Sequence, residues 1–367
     1  MNRAFAGLFF MIIANATKGQ DLQAYADSMR VAHQIPEIGY AVVSPDRIVD
    51  IKAVGYHRDD RQTVQTKATL ADYFHLGSNA KAITGFVAAQ LVESKKINWT
   101  TKLFDLFPDW KATSHPAYAD VTLQDLLSHR ARVRPYTSGL EYKMLPPFEG
   151  DKAERRKQFS KYILQQEPVP LNDKEFNYSN AGYSVAAAML EKVTGKSWEQ
   201  LIKELLETRL KINVAFGWPN RISQQQPFGH WMVNNTLKAV LPDVDYDLAL
   251  AEPAGDISMS LPDYARFIQL NLLGLSGKDT ILKASTYQFL HFGLKGYSIG
   301  WGNVSKDSLL LSEHAGSAGT FFCYTLNDYK QQLAFIIMAN AATPQTQQAV
   351  FKLLDQLRRT YKDKRQQ

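Results

Sequence analysis

Cysteine is all but missing: Cys323 is the single one in 367 residues, so neither a disulfide framework nor a lipidated N-terminal cysteine is available. It lies in a β-like run and reads as a packed core residue. Eight histidines are present, yet no His-Glu-x-x-His string or comparable ligand cluster appears, which disfavours metal-dependent hydrolysis. Internal repeats, low-complexity tracts and long linkers are also lacking. The early apolar run, Ala4–Ile13, is ten residues and too short to span a bilayer.

With 45% hydrophobic residues the chain has material for a sizeable core, arranged as one large domain or two closely packed lobes. The formal charge of +6 is mostly a tail. Residues 352–367 hold Lys352, Arg358, Arg359, Lys362, Lys364 and Arg365 against Asp355 and Asp363, a local excess of +4. Such a run reads as a solvated helix end, so neither nucleic acid nor a membrane surface is assigned as partner. At the other end, Asn2-Arg3, the apolar run and Ala14-Asn15-Ala16 have the order of a cleavable leader over residues 1–16. Export to the periplasm or medium is expected, with a mature start near Thr17 and no membrane span after cleavage.

A helix is expected around residues 20–33, then a hairpin of Gly39–Ser44 and Ile48–Tyr56 about Pro45-Asp46. Ala82, Ile83, Phe86, Val87 and Leu91 recur at helical spacing after Ser78, with small residues on the other side, so this helix is buried on most faces. Helix-like segments follow at Val121–His129, Ala153–Gln166, Ala181–Thr194 and Leu261–Leu273. Leu309–Ser312, Thr320–Leu326 and Gln332–Ala339 are β-rich, and Val350, Leu353, Leu354 and Leu357 mark a last amphipathic helix. Strands at both ends with helices between predict an α+β fold. The N- and C-terminal segments join in one antiparallel sheet flanked by helices, and a mainly helical lobe is inserted. The expected division is a single domain over 17–367, with its sheet lobe at about 20–80 and 290–360 and its helical lobe at about 81–289. A cleft between them is the default site.

Three strings carry chemistry. In Ser78-Asn79-Ala80-Lys81 a hydroxyl and an amine three residues apart share one helix face, and a desolvated lysine loses proton affinity, as a base at neutral pH requires. The plainer alternative is a capping serine and a lysine snorkelling to solvent. In Tyr178-Ser179-Asn180 the phenol can relay a proton and the amide orient a substrate, or Asn180 is simply a helix cap. His314-Ala315-Gly316, followed by Ser317, places a histidine at the lip of a sheet edge, or in a hairpin turn at the surface. Ala315–Gly319 nearly matches a Gly-x-Ser-x-Gly elbow, but Ala315 breaks it and the setting is strand to strand, so Ser317 is not the nucleophile.

Taken in order, these strings resemble the serine β-lactamase and penicillin-binding-protein superfamily, and within it the class C-like branch with its D,D-peptidase, D-aminopeptidase and esterase relatives. The likeness covers roughly residues 20–360. It includes Phe74-His75-Leu76-Gly77-Ser78 with Thr84, Leu91-Val92-Glu93, Leu123–His129, Pro253-Ala254-Gly255, Asp263–Phe267 and Gly300-Trp301-Gly302. The resemblance implies Ser78 as acylated nucleophile, Lys81 as its proton acceptor and Tyr178 as the proton shuttle. Asn180 and His314 are implied on the substrate side, with Gly316 giving close approach and the Ser78 and Ser317 N–H groups forming an oxyanion hole. No metal or organic cofactor is implied.

Two features depart from a class C β-lactamase. Histidine opens the third motif where those enzymes have lysine, which removes a permanent cation from the place of a β-lactam carboxylate. Ser128-His129-Arg130-Ala131-Arg132-Val133 replaces a His-Thr-Ser-Gly-Leu type turn, and Arg130, Arg132 and Arg134 are either rim charges or solvated loop. The leading expectation is an exported serine hydrolase of a small-molecule or peptide ester or amide. The alternatives are a β-lactamase or D,D-peptidase, and a catalytically silent binding protein of the same fold.

Overall fold

No polar residue interrupts Leu333–Ala339, and the structure gives the reason: this strand is covered on both faces. A computed structural model describes residues 21–58, 66–170, 175–246, 248–306 and 309–362. The leader expected over 1–16 lies outside them. The strands in chain order are β1 (Glu37–Val43), β2 (Ile48–Gly55), β3 (Tyr73–His75), β4 (Ala215–Phe216), β5 (His230–Val233), β6 (Thr236–Ala239), β7 (Ile257–Ser260), β8 (Gly302–Lys306), β9 (Leu309–Ser317), β10 (Phe322–Asp328) and β11 (Leu333–Ala339). Six of them form an antiparallel sheet of order β2-β1-β11-β10-β9-β8, so the N-terminal hairpin docks on the C-terminal strands as expected.

Along β11, Leu333, Phe335 and Ile337 face a core shared with Leu353, Leu357 and the first helix, described from residue 21 to residue 32. Ala334, Ile336 and Met338 face the opposite core, shared with Phe86, Leu261 and Ile268. A sheet sandwiched between helices buries both sides of a central strand, which is why the sequence shows a continuous apolar run instead of alternation. Cys323, on β10, is fully buried there.

The helix Ala80–Glu93 runs through the centre, with Ala80 to Ala89 all buried. Gly85 allows Ile299 to approach: a Cβ at that position would lie 2.8 Å from the isoleucine Cγ2. The helices Lys152–Ile163, Asn180–Thr194 and Leu261–Leu275 match the expected segments within a few residues at their ends. The sequence did not disclose two small sheets, β3-β7-β4 and β5-β6, whose strands of two to four residues are too short to establish a period. The first of these matters to the site. β3 pairs with β7, and Leu76 N–H donates to Ile257 O at 2.8 Å, which fixes the chain just before Ser78.

A buried ion cluster ties four helices together. Arg156, with no exposed surface, donates to Glu252 at 3.0 Å, to Glu191 at 2.7 Å and to Glu199 at 3.1 Å. Burial pushes the Glu252 carboxyl up to about 7 while Arg156 pulls it down. Removing the cation strands these carboxylates, so Arg156→Ala is expected to cost about 3–5 kcal/mol of stability. A lowered denaturant midpoint with unchanged slope is the result that checks it.

Candidate active site

Gly77–Asn79 forms a single 3-10 turn ahead of the Ala80–Glu93 helix, and Gly77 takes φ +52, a left-handed conformation that suits glycine. Ser78 caps neither element, so its hydroxyl is not used in holding the helix end. The turn is fastened from three sides. Gly77 N–H donates to His75 Nδ1 at 3.2 Å, which leaves the proton on Nε2, facing Asp256 Oδ1 at 3.3 Å. The His75 ring stacks on Trp218 with centroids 4.6 Å apart. Asn79 Nδ2 donates to Cys323 O at 3.0 Å, and its Oδ1 accepts from the Tyr264 hydroxyl at 3.1 Å.

Strand β9 presses on this turn. A Cβ on Gly77 would lie 2.4 Å from Ser317 N, and one on Gly316 would lie 2.1 Å from Leu76 O and 2.6 Å from Asn79 Nδ2. The small residues of the third string thus let the Ser317 backbone reach the serine turn. Gly316→Ala has to push β9 away; if the Ser317 N–H is an oxyanion donor, as the sequence resemblance implies, kcat is expected to fall by about 10²–10³, the usual cost of losing one such donor, with a near-native circular dichroism spectrum. Steady-state kinetics on a chromogenic ester checks this.

Lys81 is fully buried and does not snorkel. Its Nζ lies 2.7 Å from Asn180 Oδ1, 2.8 Å from Ala254 O and 3.2 Å from Ser78 Oγ. The amide and carbonyl oxygens only accept, so each takes one N–H. Burial drives the lysine pKa well below its ordinary value, and a neutral amine has two N–H bonds and one lone pair. As the neutral amine, Lys81 would have both N–H bonds taken by Asn180 and Ala254 and a lone pair available to the serine hydroxyl. Ala254 belongs to the short helix Glu252–Gly255, which also receives Thr84 Oγ1 at Pro253 O (2.8 Å) and is anchored by Arg156 through Glu252.

Tyr178 lies on the same side, its ring centroid 4.6 Å from Lys81 Nζ. Burial raises the phenol pKa, a contact with Ser78 opposing the shift, so the hydroxyl keeps its proton at neutral pH. The helix cap beside it is Ser179, whose Oγ accepts from Gly182 N–H at 2.9 Å. Asn180 opens the helix instead: its Oδ1 holds Lys81 and its Nδ2 donates to Tyr136 O at 3.1 Å. His129 underlies the tyrosine, with ring centroids 4.3 Å apart and its Nδ1 accepting from Ser179 N–H at 3.1 Å.

His314 is not at a strand lip or in a turn. β9 continues to Ser317, and Ser312, His314 and Gly316 alternate inward along it. The inward face is polar, so the apolar signal ended at Leu311, earlier than the strand does. His314 Nδ1 lies 2.8 Å from Ala315 O, and a carbonyl can only accept, so the proton is on Nδ1. Nε2 then accepts from the Tyr297 hydroxyl at 3.0 Å. Burial, with Lys81 adding to it, lowers the pKa to about 3. The ring is neutral, and both nitrogens are engaged within the protein.

The arginines of the 130–134 loop brace backbone. Arg130 donates to Tyr297 O at 2.8 Å and Lys295 O at 2.9 Å, Arg132 to Val169 O at 2.9 Å, and Arg134 to Glu167 O at 3.4 Å. Arg130 therefore steadies the segment that carries Tyr297. The supporting residues Tyr136, His75, Asp256, Tyr264 and Tyr297 were not legible as such. Their partners are mostly distant in sequence, and His75 and Tyr264 alone fall inside segments that the resemblance singles out.

The Beta-lactamase family model matches residues 16–357. Penicillin-binding protein 4 of Amycolatopsis lactamdurans is 24% identical over 313 residues, 81% of this chain and 79% of that one. The teichoic acid D-alanine hydrolase of Staphylococcus aureus (strain MRSA252) is 27% identical over 230 residues, 62% of this chain, and this chain spans about half (52%) of that relative's length. Among solved structures, the octameric penicillin-binding protein homologue from Pyrococcus abyssi superposes with a TM-score of 0.73 over 92% of this chain and 77% of that one, at 18% identity. The class C β-lactamase from Rhodobacter sphaeroides gives 0.69 over 92% and 99%, also at 18% identity. With its sheet formed from both ends of the chain and a family match over most of its length, this chain belongs to the Beta-lactamase family.

Proposed function

We propose that the protein is an exported serine hydrolase that cleaves an ester or amide through an acyl-enzyme on Ser78. The observation that carries this reading is the fully buried Lys81 amine, held by Asn180 and Ala254 with its Nζ 3.2 Å from Ser78 Oγ. Lys81 takes the serine proton as Oγ attacks the carbonyl carbon, and the Ser78 and Ser317 N–H groups receive the oxyanion. Tyr178, neutral and beside both, passes the proton to the leaving group as the C–O or C–N bond breaks. In the second half it helps Lys81 take a proton from water, which attacks the acyl carbon; the C–Oγ bond then breaks as that proton returns to Ser78 Oγ, releasing the acid and free Ser78.

His314 bears on the choice of substrate. A neutral imidazole whose two nitrogens are engaged by Ala315 O and Tyr297 offers no cation to a substrate carboxylate. This favours esters and amides without a carboxylate beside the scissile bond over β-lactams. A D-alanine substituent joined through its own carboxyl, as a substrate of the kind that the name of the teichoic acid D-alanine hydrolase suggests, fits the same requirement. Turnover of a short-chain p-nitrophenyl ester, with slow or absent turnover of a chromogenic cephalosporin, is the expected pattern. Rapid cephalosporin hydrolysis points to the β-lactamase reading instead.

Two further results are expected. Tyr178→Phe keeps the packed ring and loses the proton path, so kcat falls by about 10²–10⁴ with little change in thermal midpoint; a wild-type rate removes Tyr178 from the mechanism. His314→Gln leaves the shape of the pH–rate profile unchanged between pH 5 and 8, because a group titrating at about 3 contributes no limb there. A limb near pH 6 that vanishes in His314→Gln contradicts the neutral ring.

A further inference from the structure

Away from the nucleophile, Glu37 at the start of β1, His57 just after β2 and Asp72 just before β3 meet in the interior. They are 0%, 5% and 4% exposed. One ligand-type atom from each lies within 4.8 Å of the others, and among the described residues this is the one group of three with that property. Both Glu37 carboxyl oxygens are buried without a hydrogen-bond donor. His57 Nε2 sits 2.9 Å from Asp72 Oδ2, within ion-pair distance though off the line of a well-formed hydrogen bond. Two carboxyl groups have thus been brought together out of water, an arrangement that a cation relieves.

The surroundings hold these groups as an outer shell holds ligands. Thr69 donates to Asp72 from its N–H at 2.6 Å and from Oγ1 at 2.8 Å, which sets the carboxylate plane. Asn340, at the end of β11, accepts from Glu37 N–H at 2.8 Å and donates to His57 O at 3.2 Å, so it clamps the two backbones side by side. We propose that Glu37, His57 and Asp72 form a structural site for a divalent transition cation, with zinc the best match to one imidazole and two carboxylates. Ligand atoms on a tetrahedral zinc, at about 2.0–2.1 Å from the metal, lie about 3.4 Å apart, so binding draws the cluster slightly inward. The ion joins β1 and β2 to the strand that leads into Ser78. It takes no part in the chemistry.

The test uses the full-length protein stripped with a chelator, then titrated with zinc or manganese, with metal content and thermal midpoint as readouts. The expected result is one zinc per chain and a midpoint raised by several degrees in wild type, with both lost in Glu37→Gln and His57→Gln. Ester turnover well below either midpoint is expected to be the same with and without chelator. If a glutamine variant does not fold, stoichiometry on wild type and on Asp72→Asn decides the matter. A wild-type midpoint indifferent to zinc, with no retained metal, overturns the site and leaves a proton shared between Glu37 and Asp72.

Discussion

Ser78→Ala is expected to abolish ester turnover, a loss on the order of 10⁵–10⁶ in kcat by comparison with nucleophile deletions in serine hydrolases generally. The hydroxyl is half-buried at the end of a turn that His75, Asn79 and β9 hold in place, and none of those contacts uses it. The variant is therefore expected to fold and to keep its unfolding free energy within about 0.5 kcal/mol of wild type, since no packing or capping partner is removed. Turnover beside matched circular dichroism spectra checks this. Equal rates in the two proteins assign the nucleophile elsewhere.

Lys81→Met is expected to come close to the same loss. Methionine fills much of the buried volume without the amine, and the serine then has no base within reach. Because the proposed mechanism joins Ser78 and Lys81 in one proton transfer, Ser78→Ala combined with Lys81→Met is expected to fall little below either alone. The pH profile carries the complementary sign. In the proposed mechanism Lys81 works as the free amine and burial lowers its pKa, so kcat/KM is expected to be full above that lowered value and to be lost as pH falls through it. A profile that rises only near the ordinary lysine pKa contradicts a desolvated base. So does Lys81→Met retaining wild-type activity.

The legible part of the fold followed from period and length. β1, β2, β10, β11 and the long helices announce themselves because apolar residues repeat or run together over seven or more positions. β9 was half-read because its inward face past Leu311 is Ser312, His314 and Gly316. The two- to four-residue strands β3, β4 and β7 gave no pattern, although they set the entry to the serine turn. In the site, Ser78 and Lys81 could be paired from sequence because helix geometry makes residues three apart neighbours. The bond between Lys81 and Asn180 spans 99 residues and could not be read. The proton placement on His314 depends on Tyr297 and on a backbone carbonyl, neither of which has a spacing rule. The Glu37, His57 and Asp72 group is invisible for the same reason: three segments supply it.

Those distant bonds also explain how the proposed site is held together. Arg156 fixes Glu252, the adjoining Pro253 and Ala254 carbonyls receive Thr84 and Lys81, and Asn180 completes the lysine's surroundings. A disturbance at Arg156 therefore reaches the base through one short helix, while the serine turn has independent support from β7, β9 and β10.

The most direct test of the central claim is mass spectrometry of wild-type protein quenched within milliseconds of mixing with a p-nitrophenyl ester. A mass increase equal to the acyl group, mapped to the peptide that contains Ser78 and absent in Ser78→Ala, is the result expected. Turnover with no adduct, or with an adduct on Ser317 or another residue, contradicts the account.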